Sequence, residues 1–254
     1  MITEVKVGTE KLSAPPFFLG IGSCFVSNLN PYLHKWGYKY QFNPIGTSFN
    51  PISIAKQLRW IFCDEHLMPA FNHQGVFHQL DAGNKWQSTS NTDLQNTLEN
   101  TRNDIIQYLN QPSKKLVLVI SLGTAHAWFK GDQLVNNCHK LPGGFFQRKL
   151  LSKYKIVTEW NDTLSQLPEN TKVIFTVSPV RYTRIGLQEN FLGKSILRTA
   201  IEDLTHLPNV SYFPSFEIIN DELRDYKFFE SNGTHPNPKA IEVVMERFKT
   251  FLNL

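Results

Sequence analysis

The chain has 254 residues, 41% of them hydrophobic and 19% charged, which gives enough apolar material for one α/β domain or two small ones and excludes global disorder. Its 26 Lys and Arg against 22 Asp and Glu leave a formal net charge of +4, scattered except around Arg148, Lys149, Lys153 and Lys155, so no nucleic-acid-binding surface is expected. No apolar run approaches the ~20 residues that span a bilayer, and MITEVKVGTE lacks the basic-then-apolar pattern of a secretory leader, so the expected location is cytoplasmic.

In chain order, Phe17 to Ile21 reads as a buried strand stopped by Gly22-Ser23. Cys24 to Trp36 is helix-like but holds Pro31, and Asn30 can cap a fresh turn there, so a break is expected. Asn50-Pro51 opens a helix over Ile52 to Phe62. Glu65 to Thr89 is mixed and rich in aromatics and His, with no clear period. Asp93 to Leu109 fits an amphipathic helix, and Leu116 to Leu122 is a buried strand ending at Gly123. Ser152 caps a helix reaching about Leu167, and Val173 to Val177 is a second clear strand ending at Ser178-Pro179. Gln188 to Leu207 reads as a helix, Val210 to Phe213 as a strand, Pro214 to Leu223 as helical and Pro236 to Leu252 as the closing helix. Strands alternating with helices predict a mainly parallel sheet covered on both faces, in a single domain over residues 1–254. Reactive groups in such sheets lie beyond the carboxyl ends of the strands, here Gly22-Ser23, Gly123-Thr124 and Ser178-Pro179.

Ser23 stands at a strand-to-helix turn behind Gly20 and Gly22. There its hydroxyl can be exposed while backbone N–H groups and the positive end of the next helix stabilise an oxyanion. Position alone favours the plainer reading, a helix cap. His235, in Asn232-Gly233-Thr234-His235-Pro236, can reach the sheet edge as a general base or simply sit on the surface. Cys24 is a rival nucleophile if the helix start lowers its thiol pKa. Otherwise Cys24, Cys63 and Cys138 read as free thiols, because they lack C-x-x-C spacing. His66, His73 and His78 match no common zinc spacing, so no metal is expected. Arg181 follows a strand end, where it holds either an anionic substrate group or a structural ion pair. His139 binds substrate or holds its own loop.

Several phrases in order resemble the GSCFA family of the SGNH hydrolase superfamily. They are Gly22-Ser23-Cys24-Phe25-Val26, Asn43-Pro44-Ile45-Gly46 with Asn50-Pro51, Ser121-Leu122-Gly123-Thr124-Ala125, Asn137-Cys138-His139-Lys140, Val177-Ser178-Pro179-Val180-Arg181, and Tyr212-Phe213-Pro214 through to His235-Pro236. The resemblance implies a three-layer α/β/α, flavodoxin-like fold and hydrolysis of an ester of a small molecule, with Ser23 as nucleophile and His235 as base. By the same resemblance the Ser23 and Gly46 N–H groups form the oxyanion hole, and Gly123 is the glycine of the third block. The superfamily pattern has Asp three residues before the His and Asn two after that Gly. This chain has Asn232 and Ala125, so Asn232 is the candidate to orient the imidazole and Thr124 or His126 the replacement donor.

Two functions follow. One is a serine esterase working through an acyl-enzyme on an acylated sugar, lipid or small ester. The other is a weak or inactive relative that binds a carbohydrate, acyl or protein partner. No P-loop or G-x-G-x-x-G run is present, and no cofactor is implied.

Overall fold

The computed structural model describes residues 4–12, 16–109 and 115–254. Met1 to Thr3, the start of the stretch expected to lack a leader pattern, lie outside them. The elements are β1 (Phe17–Gly22), α1 (Cys24–Lys35), β2 (Lys39–Phe42), α2 (Pro51–Phe62), β3 (Phe71–His73), β4 (Val76–His78), β5 (Gln87–Ser88), α3 (Asn91–Leu109) and β6 (Leu116–Leu122). Then come β7 (His126–Lys130), β8 (Gln133–Val135), β9 (Gln147–Leu150), α4 (Lys153–Ser165), β10 (Lys172–Val177), α5 (Leu187–Leu204), β11 (Val210–Tyr212), α6 (Ser215–Glu217) and α7 (Pro238–Phe251).

The apolar runs form the middle of a five-stranded sheet in the order β11-β10-β6-β1-β2, with every pair parallel. This is the doubly wound, flavodoxin-like order, and the strand order reverses between β1 and β6. Side chains alternate across the sheet as the pleat requires. Phe17, Leu19 and Ile21 of β1, with Leu118, Ile120, Val173 and Phe175, face a core shared with α2, α3, α4 and α5. Phe18, Val117, Val119 and Ile174 face a second core shared with α1 and α7. The result is a three-layer α/β/α sandwich. In the first core Trp160 of α4 stands edge-on to Phe175, centroids 4.7 Å apart. In the second Phe248 of α7 does the same to Phe213 at 4.8 Å. Burying a side chain of the size of Phe175 stabilises the fold by about 1.5–3 kcal/mol.

Several local expectations are corrected. α1 runs unbroken through Pro31. That ring, and Ser27 whose carbonyl it leaves without a donor, both lie on the exposed face, where water can bond the carbonyl. The last helix begins at Pro238, because Asn237 rather than a residue near Pro236 caps it, accepting from the Ala240 N–H at 3.1 Å. The 214–223 segment is helical as expected, as α6 continued by a wider π-helix over Ile218–Leu223. Two small antiparallel sheets, β3-β4-β5 and β8-β7-β9, occupy stretches with no periodic signal. Among the described residues no helix is long and apolar enough to cross a membrane.

Candidate active site

The turn from β1 into α1 depends on Gly22. Its φ is +146°, and a Cβ there would sit 2.2 Å from the Ser121 carbonyl oxygen. Only glycine lets β1 and β6 approach this closely as the chain bends into the helix. The next residue, Ser23, is the N-cap of α1 by position, yet its side chain accepts no capping bond. Its hydroxyl instead shares a hydrogen bond of 2.7 Å with that of Ser121, the residue next to it on β6. The expected alternative for Ser23, a plain helix cap, therefore does not describe it.

Ser23 and His235 line the same cleft, a cavity of about 530 Å³ beyond the carboxyl ends of β1, β6 and β10. Gly123, Thr124, Ser178 and Arg181 line it too, so the three strand ends converge. Phe49, His126 and Trp128 supply an aromatic wall. His235 is exposed, and no hydrogen bond joins it to Ser23.

The loop carrying His235 is held from its backbone. Glu230 N–H donates to the His235 carbonyl at 2.8 Å, Gly233 N–H to Glu230 at 2.8 Å, and Arg181 N–H to Thr234 at 3.1 Å. The Arg181 guanidinium adds a bond of 3.1 Å to the Gly233 carbonyl and lies over the Phe229 ring at 4.0 Å. Arg181 is thus on the cleft wall as expected, but its charge braces the histidine loop and makes no ion pair with a carboxylate among the described residues.

Other expected roles change. The Asn232 side-chain oxygen accepts from the Thr234 N–H at 2.9 Å, an Asx turn that points it to the backbone and away from an imidazole-orienting bond. Neither Glu230 nor Asp225 replaces it. Asp225 pairs with Lys227 at 3.0 Å, and no described carboxylate lies within 4.0 Å of the His235 ring. The oxyanion donors are also spent: Ser23 N–H donates to Ser121 at 3.0 Å, Gly46 N–H to Asn43 at 2.8 Å, and Thr124 N–H to Phe49 at 3.0 Å. Gly46 does not line the cleft at all. Its φ of +94° and its contact with Gly83, whose Cα a Cβ would meet at 2.7 Å, explain that glycine. Thr124 does line the cleft, and its hydroxyl accepts from the His126 N–H at 3.0 Å. His139 is buried away from the cleft, edge-on to His78 at 5.4 Å, and burial pushes its pKa down to about 4. Burial raises the Cys24 thiol pKa, the opposite of an activated nucleophile.

Beside the cleft stands a buried charge that sequence reading passed over. Lys194 of α5 is buried, and its ammonium donates to the Gly123 and Ser178 carbonyls, each at 2.6 Å. It ties together two of the strand ends that form the cleft. No described carboxylate pairs with it, and burial pulls its pKa from 10.5 to about 7. The neutral amine has two N–H donors, the number these two carbonyls require. A signal was present: Lys194 sits on the same helical stripe as Leu197, Ile201 and Leu204, where an apolar residue is the norm.

A search of curated proteins finds no match. Among solved structures the chain is similar to a carbohydrate esterase family 3 protein from Talaromyces cellulolyticus, with 9% identity, a TM-score of 0.40, and coverage of 92% of this chain and 95% of that one. The family model that matches spans β1 to α7, residues 17–248, and so takes in both Ser23 and His235: the chain belongs to the GSCFA family.

Proposed function

We propose that this chain is a serine hydrolase that cleaves a small ester, such as an acylated sugar, through a Ser23 acyl-enzyme, in a single domain over residues 1–254. The supporting observation is that Ser23 and His235 line one cleft at the carboxyl edge of a parallel sheet. Neutral His235 takes the Ser23 proton as Oγ attacks the carbonyl carbon. The C–O bond of the alcohol then breaks, and the alcohol leaves with that proton. Water repeats the sequence on the acyl-enzyme and releases the acid.

The N–H available for the oxyanion is that of Cys24, the first residue of α1, which donates to no carbonyl among the described residues. It lies at the positive end of the helix, where negative charge is stabilised. Ser121 holds the Ser23 hydroxyl at rest, and binding of an ester must turn that hydroxyl towards His235. With no carboxylate behind the imidazole, turnover is expected to be slow. In serine proteases an Asp-to-Asn change at that place lowers kcat by about 10⁴.

The test is hydrolysis of small acyl esters by wild type and Ser23→Ala, with mass spectrometry of the quenched protein. Slow turnover lost in Ser23→Ala, with one acyl group on the peptide carrying Ser23, is expected. Equal turnover in both would refute the reading. A second reading, a relative that binds a carbohydrate, acyl or protein partner without turning it over, is favoured by the absence of a carboxylate near His235. It predicts neither turnover nor an acyl adduct in a folded protein.

A further inference from the structure

The cleft that holds Ser23 is lined by three arginines, Arg148, Arg181 and Arg184, and by no described Asp or Glu. None of the three is ion-paired with a described carboxylate. One acid lies next to the wall: Glu189 is 3.8 Å from His126 Nε2, and it makes no ion pair with the arginines. Arg181 is already engaged with the Gly233 carbonyl and the Phe229 ring. Arg148 and Arg184 are different. Both are exposed and come from separate segments, Arg148 from β9 and Arg184 from the turn at Thr183–Ile185. Their guanidinium groups make no side-chain hydrogen bond to the described residues. Arg148 lies over the Trp128 ring at 5.9 Å and is close enough to His126 to help lower that imidazole's pKa, after desolvation.

Guanidinium groups gathered without a counter-ion repel one another, and a protein surface normally interleaves acids among them. A cavity that concentrates them beside a candidate nucleophile is complementary to negative charge on what enters it. Their planar forks suit carboxylate or phosphate oxygens, and Trp128 offers a flat apolar face next to them.

We infer that the ester this cleft takes carries an anionic group, a carboxylate or a phosphate, held by Arg148 and Arg184 while the acyl carbon faces Ser23. This rests on the hydrolase reading for the acyl carbon but not for the anion. The first arm compares kcat/KM for p-nitrophenyl acetate and mono-p-nitrophenyl succinate. The acidic ester is expected to be preferred by about tenfold, the worth of one charge-assisted hydrogen bond. The preference should shrink with added salt and vanish in the Arg148→Gln, Arg184→Gln double variant. No preference, or one that the double variant retains, overturns the inference.

The second arm needs no turnover. Succinate and inorganic phosphate are titrated calorimetrically into Ser23→Ala protein with and without the two arginine substitutions. Binding that weakens about tenfold without the arginines supports the site, and the better ligand identifies the anion. Equal binding in both proteins, or none in either, overturns it. Anion binding without Ser23-dependent turnover would retire the hydrolase reading and keep the anion site. Turnover without anion preference would do the reverse.

Discussion

Gly22 decides where Ser23 stands. The positive φ and the close approach to Ser121 fix the turn, and the turn sets the Ser23 hydroxyl beside a second one, that of Ser121, with Ser23 only 1% exposed rather than open as its position suggested. Asn232 shows how one residue alters the prospects of such a site. Its side chain is spent on the Thr234 N–H, so the His235 imidazolium has no negative partner. Asn232→Asp keeps that turn, since an aspartate oxygen accepts as an amide oxygen does, and adds negative charge to the histidine loop. Its kcat/KM on a small ester is expected to rise by at least about threefold, a Coulombic effect across a few ångströms near the surface. An unchanged or lower value would argue that His235 is not the base. His139 carries a separate expectation. Its pKa falls from 6.5 to about 4 on folding, so the unfolded chain binds more protons between those values. Its contribution to stability is therefore full above about pH 6.5 and is lost as pH falls towards 4. His139→Asn should reduce the drop in Tm over that range, and an identical drop in both proteins would rule the residue out as its source.

At the scale of elements, the long periodic segments were legible and the short ones were not. β1, β6 and β10 are runs of buried apolar residues, and α2, α3, α4 and α5 carry a stripe that repeats every three or four residues, so each announces itself. β9 is Gln-Arg-Lys-Leu with every side chain exposed, and its pairing with β7 comes from backbone bonds that leave no mark in composition. α1 was expected to break because proline removes a donor, a local argument that the burial of Phe25, Val26, Leu29 and Leu33 overrides. Lys194 belongs at this scale, because it joins α5 to the ends of β6 and β10. Lys194→Met leaves two buried carbonyls without donors, a loss of about 1–3 kcal/mol each, offset in part by removing a desolvated amine. Its lowered pKa means that the unfolded chain binds more protons between about pH 7 and 10.5, so stability from this residue rises with pH across that window. Chemical denaturation of Lys194→Met should show a flatter rise than wild type on the alkaline side. A parallel rise in the two proteins would contradict a buried, easily neutralised Lys194.

For the whole molecule, alternating strands and helices sufficed to foresee a parallel sheet covered on both faces, and the topology brings the expected strand ends to one edge. Ser23 and His235 are separated by most of the chain, yet the fold places both on one cleft. What the sequence could not disclose was the use of each polar group once there. Backbone donors at Ser23, Gly46 and Thr124 are consumed by the turns that shape the edge, and that depends on distances no motif records. The central claim is that Ser23 is an activated nucleophile served by His235. It is tested most directly by labelling the purified protein with a fluorescent fluorophosphonate, alongside Ser23→Ala and His235→Ala, with circular dichroism to show that all three are folded. Labelling of the wild type that is abolished in Ser23→Ala and strongly slowed in His235→Ala is the expected result. A folded wild type that takes no label, or labelling that survives loss of either residue, would contradict it.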